Sequence, residues 1–214
     1  MRKKGVIFDL DGVIVDTAKF HFLAWKEIAR KLGYNFTEKD NEELKGVSRV
    51  QSLEILLKKA GIQMDEKEKQ KLLQQKNALY LDLVSRINEK EILPGIANVL
   101  DYLEKEKIPF ALGSASKNAP FILEKLKLKD KFTAIVDGND VVKAKPDPEV
   151  FLTAAKKLGL KPQNCVVIED AQAGIDAANK AGMKSIGIGE YLKNAVYTLH
   201  DTSELSPELI NKLL

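Results

Sequence analysis

Short apolar runs alternate with longer amphipathic segments over most of the chain. The runs lack a clean alternation of apolar and polar positions, as is typical of strands that are covered on both faces. Amphipathic segments that fit helices separate all but the first two runs. This alternation of strands and helices predicts an α/β fold with a parallel, doubly wound sheet. The runs are KGVIFDLD (4–11), IPFALGSA (108–115), TAIVDGND (133–140), CVVIEDA (165–171) and KSIGIGE (184–190).

One long region interrupts the alternation, because from about Val15 to Ile92 the pattern is helical and shows no convincing strand. Its first helix should cover 17–33, with Thr17 as the N-cap and Gly33 as the stop. Further helices are expected over 50–61 and 65–87. We therefore predict a core domain made of 1–14 and 93–214, with a helical cap domain, 15–92, inserted into it. The first helix should bury one apolar stripe, which consists of Ala18, Phe22, Trp25, Ala29 and Leu32.

Composition narrows the possible partners of the protein. The 214 residues are 44% hydrophobic, which is typical of a globular chain long enough for a core plus an insertion. The net charge is only +3 and the cations are dispersed, so we expect no nucleic-acid partner. The apolar run at the N-terminus breaks at Asp9, so it lacks the length expected of a signal peptide. No window approaches the roughly 20 apolar residues of a membrane span. The single cysteine, Cys165, cannot form an internal disulfide, which favours a protein of the reducing cytoplasm. No exposed apolar stripe is evident in the sequence, which favours a monomer.

Polar side chains gather where the predicted strands end. In open α/β sheets, ligands bind outside the carboxyl ends of the strands. Carboxylates that meet there repel one another unless a cation binds, and oxygen ligands favour Mg²⁺. A hydroxyl and an amine nearby could donate to a phosphate, and a carboxylate could attack its phosphorus to form an aspartyl-phosphate. Each residue alone could be a simple cap or turn former, so the prediction rests on the combination of Asp9, Asp11, Ser114, Lys145, Glu169 and Asp170.

Four motifs resemble those of the haloacid dehalogenase (HAD) superfamily: DLDGV, the GS that ends at Ser114, Lys145 in KAKPDP, and IEDAQAG. The resemblance implies a Rossmann-like core with an inserted helical cap. It implies that Asp9 is the nucleophile that becomes phosphorylated and that Asp11 is the general acid/base. Ser114 and Lys145 would bind the transferring phosphoryl group. Mg²⁺ would be held by Asp9, the main-chain carbonyl of Asp11, Glu169 and Asp170.

Further segments resemble the members of this superfamily that are hexose phosphomutases, in which a sugar hydroxyl receives the phosphoryl group. These segments are DTAKFHFLAWK, LKGVSR, QKN and SASKNAP. The resemblance implies a reaction that interconverts β-glucose 1-phosphate and glucose 6-phosphate, with β-glucose 1,6-bisphosphate as intermediate and activator. It implies substrate or phosphate contacts from Thr17, His21, Lys45, Gly46, Arg49, Lys76, Ala115, Ser116, Lys117 and Asn118.

Two other functions stay open at this point. A phosphatase for sugar phosphates or phosphoglycolate-like compounds would use the same nucleophile but pass the phosphoryl group to water. A non-catalytic binding module would leave the acidic cluster idle, and that is disfavoured because the carboxylates repel one another.

Several residues of the helical region have a second interpretation. His21 lies in the apolar stripe, so it could be a core histidine, or it could face the cleft, where protonation near neutral pH would support proton transfer. Arg49 could clamp a phosphate or lie on the surface. By pattern alone, Lys76 belongs to a solvated, Lys/Gln-rich helix face. Lys45 could likewise be an ordinary exposed lysine, whereas Trp25 is expected in the core.

Overall fold

A computed structural model describes residues 4–44 and 47–214 of the protein. A single parallel sheet has the strand order β3-β2-β1-β4-β5-β6. Because the chain adds strands outward on both sides of β1, the sheet is doubly wound, and the predicted fold class is confirmed. The strands are β1 (Gly5–Phe8), β2 (Phe110–Gly113), β3 (Ala134–Val136), β4 (Cys165–Glu169), β5 (Lys184–Ile188) and β6 (Tyr197–Leu199).

Helices connect and cover these strands. In the described residues, five of them lie between β1 and β2, one follows each of β2, β3 and β4, and the last follows β6. Single turns of 3₁₀-helix occur at Glu89–Glu91, Lys129–Lys131, Pro162–Asn164 and Thr202–Glu204. The α-helices are α1 (Ala18–Lys31), α2 (Glu38–Glu42), α3 (Arg49–Ala60), α4 (Glu66–Val84), α5 (Ile96–Lys105), α6 (Ala119–Lys125), α7 (Glu149–Lys157), α8 (Gln172–Lys180) and α9 (Pro207–Leu213).

The sheet is buried on both faces, which explains the uninterrupted apolar runs. Side chains alternate across β1, so Val6 and Phe8 join the apolar cluster that contains residues of α5 and α6. Ile7 points the other way and joins the cluster built from residues of α7 and α8. This burial fixes the register of the central strand and therefore the position of the residues that follow it.

Helices α1, α3 and α4 contribute to a separate apolar cluster that includes Trp25, Ile28, Leu53 and Leu56. The chain leaves the sheet and returns to it at adjacent positions, because Val15 and Ile92 form an antiparallel bridge. The division into a core domain (1–14 and 93–214) and a cap domain (15–92) stays a prediction.

The buried face of α1 differs from the predicted stripe. It consists of Ala24, Trp25, Ile28 and Ala29, whereas Ala18, Phe22 and Leu32 are only partly buried. The reason is that α1 packs on two sides: Ala24 belongs to the cluster of the sheet, and the other three belong to the helical cluster.

The predicted cap of α1 is also only partly correct. Thr17 occupies the N-cap position but makes no side-chain capping bond, since its hydroxyl donates to Asp11. Asp16 instead accepts from the backbone N–H of Ala18 at 3.0 Å. Gly33 has a φ of +71°, as a helix stop requires.

Three short elements, α2, β6 and α9, were not predicted. Within the described ranges, no helix combines the length and the apolar character needed to cross a bilayer.

The aromatic cluster under β1 should dominate the stability of the sheet. The ring of Phe8 lies edge-on to Phe110 and Phe132, with both centroids 6.2 Å away. We expect Phe8→Ala to lower the free energy of unfolding by about 3–5 kcal/mol in urea titrations, because it leaves a cavity. Leu23→Ala, at a side chain that is 49% exposed, is the control and should cost about 0.5 kcal/mol or less. A loss below about 1 kcal/mol for Phe8→Ala would contradict this account.

Candidate active site

A buried lysine joins two acidic residues at the carboxyl edge of the sheet. Asp9 follows β1 directly and is held there by the bond from its N–H to the carbonyl of Ile168, 2.9 Å long. The Nζ of Lys145 donates to Oδ1 of Asp9 at 2.6 Å and to Oε2 of Glu169 at 2.7 Å. All three side chains are buried. The residues predicted from separate strands therefore form one ionic network.

Burial sets the protonation behaviour of this network. It raises the pKa of Glu169 above its ordinary value, and Asp9 adds to the rise, while Lys145 and the N–H of Ala171 oppose it. Burial alone would lower the pKa of Lys145, but Asp9 and Glu169 outweigh it and raise that pKa above its ordinary value. A single ammonium group between two carboxylates leaves the cluster short of positive charge, so a cation would be stabilised there.

The acidic residues fit a hard metal ion such as Mg²⁺. Carboxylate oxygens of Asp9, Glu169 and Asp170 all lie within 4.8 Å of one another, and oxygen is the ligand atom that Mg²⁺ prefers. Glycines leave room for two of them, since a Cβ on Gly12 would lie 2.1 Å from Oδ2 of Asp170 and one on Gly174 would lie 2.0 Å from Cδ of Glu169. A ligand bond from the main chain of Asp11 stays a prediction.

Asp11 lies two residues beyond Asp9 and lines the adjacent cavity. Its Oδ1 accepts a hydrogen bond from the Thr17 hydroxyl, and 31% of the side chain is exposed. Burial of the carboxyl and the charge of Asp9 raise its pKa to about 6, while Thr17, Lys76 and Lys145 oppose the rise. A carboxyl that titrates this close to neutral pH can both give and take a proton.

His21, Lys76 and Tyr80 form a second group on helices α1 and α4, in which Lys76 and Tyr80 are buried. The Nζ of Lys76 lies 2.7 Å from Nδ1 of His21, and the His21 ring stacks on Tyr80 with centroids 4.2 Å apart. The ammonium also lies 4.6 Å from the centroid of the Tyr80 ring and 5.1 Å from that of Trp25. Lys76 is only 2% exposed, so the alternative that it lies on a solvated face is wrong.

The pKa of His21 also differs from the sequence-based expectation. Burial lowers the pKa of His21 well below its ordinary value, and Lys76 and Arg49 add to the effect. This direction of the pKa disfavours the protonated His21 that was expected near neutral pH. As long as Lys76 is protonated, its ammonium can only donate, so Nδ1 of the neutral ring accepts from it. The ring proton is then on Nε2, which lies 3.9 Å from Oδ1 of Asp11.

A cavity of about 570 Å³ separates the edge of the sheet from helices α1, α3 and α4. This volume is typical of sites for small molecules. Two predicted site residues do not line the cavity: Thr17, predicted to contact the substrate, and Glu169, predicted to bind the metal, are both buried. Lys45 and Gly46 lie outside the described residues. The predicted residues that line it are Asp9, Asp11, His21, Arg49, Lys76, Ser114, Ala115, Ser116, Lys117, Asn118, Lys145 and Asp170.

Arg49 enters the cavity from the first residue of α3. Ser48 caps this helix by accepting from the N–H of Gln51 at 3.2 Å, while the side chain of Gln51 accepts from the N–H of Ser48. This capping box fixes the start of the helix and with it the position of Arg49. Burial lowers the pKa of the guanidinium from its ordinary value, but an arginine stays charged at neutral pH.

Three residues that support the site were not predicted from the sequence. Tyr80 stacks on His21, and the signal for it was its spacing of four residues from Lys76, which places both on one helix face. Asn77 accepts a hydrogen bond from Asn118 across the cavity. Glu149 accepts from the N–H groups of residues 142 and 143 at 3.1 and 2.7 Å and so holds the loop before Lys145.

Residues 6–188 match the family model of the haloacid dehalogenase-like hydrolases. The chain belongs to this family. It is 46% identical to the β-phosphoglucomutase of Bacillus subtilis over 213 residues, which cover 98% of this chain and 94% of that protein. It superposes on the crystal structure of β-phosphoglucomutase from Clostridium difficile with a TM-score of 0.95 at 43% identity, covering 99% and 96% of the two chains.

A phosphatase is also similar to this chain, at lower identity. The phosphorylated carbohydrates phosphatase of Thermotoga maritima is 29% identical over 205 residues, which cover 94% of this chain and 89% of that protein.

The burial of Lys76 should make stability depend on pH. Burial lowers its pKa to about 7 in the folded protein, with Arg49 adding to the effect, from 10.5 when unfolded. Between these values the unfolded state binds more protons, so this residue makes stability rise with pH. We expect Lys76→Met to stabilise the protein below pH 7 by on the order of a few kcal/mol, and the advantage to shrink towards pH 10.

Urea titrations from pH 6.5 to 10 measure this difference. Lys71→Met, at an exposed position of the same helix, is the control and should show no comparable trend. An advantage of Lys76→Met that stays constant over the range would contradict the buried-ammonium account.

Proposed function

We propose that the chain catalyses the β-phosphoglucomutase reaction, which interconverts β-glucose 1-phosphate and glucose 6-phosphate. The observation that carries the proposal is that the cavity has phosphate-binding chemistry on both walls. Asp9, Ser114 and Lys145 lie on the sheet side, and Arg49 and Lys76 lie on the helical side. A bisphosphate with one phosphate towards each wall fits this arrangement of charge. The identity of 46% to a β-phosphoglucomutase, against 29% to a phosphatase, supports the same function.

In the first step, a carboxylate oxygen of Asp9 attacks the phosphorus at C1 of bound β-glucose 1,6-bisphosphate, so that glucose 6-phosphate leaves. The new bond joins Asp9 to phosphorus, and the bond from phosphorus to the sugar oxygen breaks. Asp11 in its protonated form gives its proton to that oxygen as it leaves. Mg²⁺ bound by Asp9, Glu169 and Asp170 would offset the charge of the phosphoryl oxygens. Lys145 and Ser114 supply further donors to the same group.

In the second step, β-glucose 1-phosphate binds and its 6-hydroxyl takes the phosphoryl group from Asp9, which forms the bisphosphate again. Asp11, now ionised, removes the proton from this hydroxyl while its oxygen attacks phosphorus and the bond to Asp9 breaks. Because β-glucose 1,6-bisphosphate is formed and consumed, it acts as the intermediate and as the activator that phosphorylates the enzyme. The pKa of Asp11, raised to about 6, suits a group that works in both directions.

The phosphate that does not react needs its own binding site. We assign this role to Arg49 on the helical side and to Ser116, Lys117 and Asn118 on the sheet side, all of which line the cavity. Lys45 and Gly46 belong to the same proposal. The neutral His21, held by Lys76 and Tyr80, presents Nε2–H towards Asp11 and the sugar.

A mutase must keep water away from the phosphorylated aspartate. Helices α1, α3 and α4 cover the carboxyl edge of the sheet and enclose most of the polar residues between two walls. Because 31% of the Asp11 side chain is exposed, these helices would have to close further onto the sheet to exclude water and favour transfer to the bound sugar over hydrolysis. A phosphatase of the same chemistry would lack this selectivity and would gain nothing from a second phosphate site.

A coupled assay of glucose 6-phosphate formation tests the function. With Mg²⁺ and a catalytic amount of β-glucose 1,6-bisphosphate, we expect conversion of β-glucose 1-phosphate and little conversion of the α-anomer. Asp9→Asn should abolish conversion because it removes the nucleophile. Efficient phosphate release by the unchanged protein without isomerisation would refute the mutase and support the phosphatase.

The second phosphate site makes its own prediction. We expect Arg49→Ala to lower kcat/KM of the mutase reaction about 10- to 100-fold, because a charge-assisted bond is lost. Formation of the aspartyl-phosphate from a small phosphodonor should change little. Arg86→Ala, at an exposed arginine beyond α4, is the matched control. If Arg49→Ala matches the unchanged protein in the mutase assay, the assignment of the second phosphate site is wrong.

A further inference from the structure

One side chain of helix α4 bonds directly to the sheet side of the cavity. The Oδ1 of Asn77 accepts a hydrogen bond of 2.8 Å from Nδ2 of Asn118. Asn77 adjoins Lys76, which contacts His21 near Asp11. Helix α4 therefore contacts the acid/base side of the cavity through one residue and the loop after β2 through the next.

The bond is unusual for Asn118. This residue occupies the N-cap position of α6, where an asparagine side chain commonly accepts from the N–H groups of the first turn. Here it makes no capping bond. Its Nδ2 donates to Asn77, and its backbone (φ −97°, ψ 3°) is not in the extended conformation in which an N-cap side chain accepts from the first turn.

A line of hydrogen bonds continues from Asn118 to the phosphoryl-transfer site. The N–H of Asn118 donates to Oγ of Ser116 at 3.3 Å, and the N–H of Ser116 donates to Oγ of Ser114 at 3.1 Å. Ser114 is 1% exposed, so this end of the line is fixed by the packing of the sheet. The free end, which is the Asn118 side chain, is held by Asn77.

We propose that Asn77 is a positioning residue for Asn118 and, through it, for the phosphate that is not transferred. The inference rests on the function proposed above for that phosphate. A primary amide has a carbonyl and two N–H donors. With one N–H of Asn118 bonded to Asn77, the orientation of the whole amide is fixed before a ligand arrives. An ordered group loses less entropy when it binds, so the affinity for the phosphate rises.

The test is a double-mutant cycle read by ligand binding. Dissociation constants for glucose 6-phosphate are measured by calorimetry with Mg²⁺ for the unchanged protein, Asn77→Ala, Asn118→Ala and the double variant. We expect Asn77→Ala to weaken binding about fivefold, as loss of one neutral hydrogen bond predicts. In the Asn118→Ala background the same change should have little effect, because its target is absent. Lys71→Ala, exposed on the same helix, is the control.

Each outcome decides the inference. Unchanged affinity of Asn77→Ala overturns it. An equal loss in both backgrounds also overturns it, because Asn77 would then act on the fold and not through Asn118, and a drop in melting temperature would accompany that result. The cycle needs no turnover, so a protein that binds glucose 6-phosphate but fails to isomerise it refutes the mutase and still decides the role of Asn77. If the unchanged protein does not bind glucose 6-phosphate, both proposals fall.

Discussion

The ionic contacts of Lys145 with Asp9 and Glu169 are the interaction on which the site depends. The ammonium lies 2.6 and 2.7 Å from the two carboxylates, and none of the three groups has appreciable contact with solvent. Removal of one partner from such a network leaves an uncompensated buried charge, which is strongly destabilising. The same lack of water makes the charges effective towards a phosphate, because their field is poorly screened. Burying these three charges therefore costs desolvation free energy, and the same burial strengthens their electrostatic interaction with a bound phosphate.

Periodicity predicted the central sheet well because its strands are covered on both faces. Val6, Ile7 and Phe8 are all fully buried, so apolar side chains occupy every position and the run is easy to recognise. The sixth strand has no such signal. Tyr197 is 41% exposed, and the strand exists because β5 offers it an edge. A strand that depends on its neighbour for pairing cannot be found from its own residues.

The site shows the same division between local and long-range causes. Asp9 and Glu169 could be placed from sequence because the ends of parallel strands meet at one edge. Lys76 could not be placed by pattern, since its burial depends on His21, 55 positions away in the chain. Thr17 was predicted to cap α1, but its hydroxyl bonds to Asp11 instead. In both cases a contact with a residue outside the helix overrides the preference of the local sequence, and both contacts lie at the site.

The bridge between Val15 and Ile92 has a consequence for how such a protein can diversify. Since the chain departs from the sheet and rejoins it at neighbouring backbone positions, the sheet's pairing does not depend on what lies between them. The stretch that supplies Arg49 and Lys76 can change in sequence while Asp9, Lys145 and Glu169 keep their register. In the proposed function, the reacting carboxylate and the phosphate-binding Arg49 would thus come from separate stretches of the sequence. The hydrogen bond between Asn77 and Asn118 joins these two stretches, so substitutions at either residue would be felt by both.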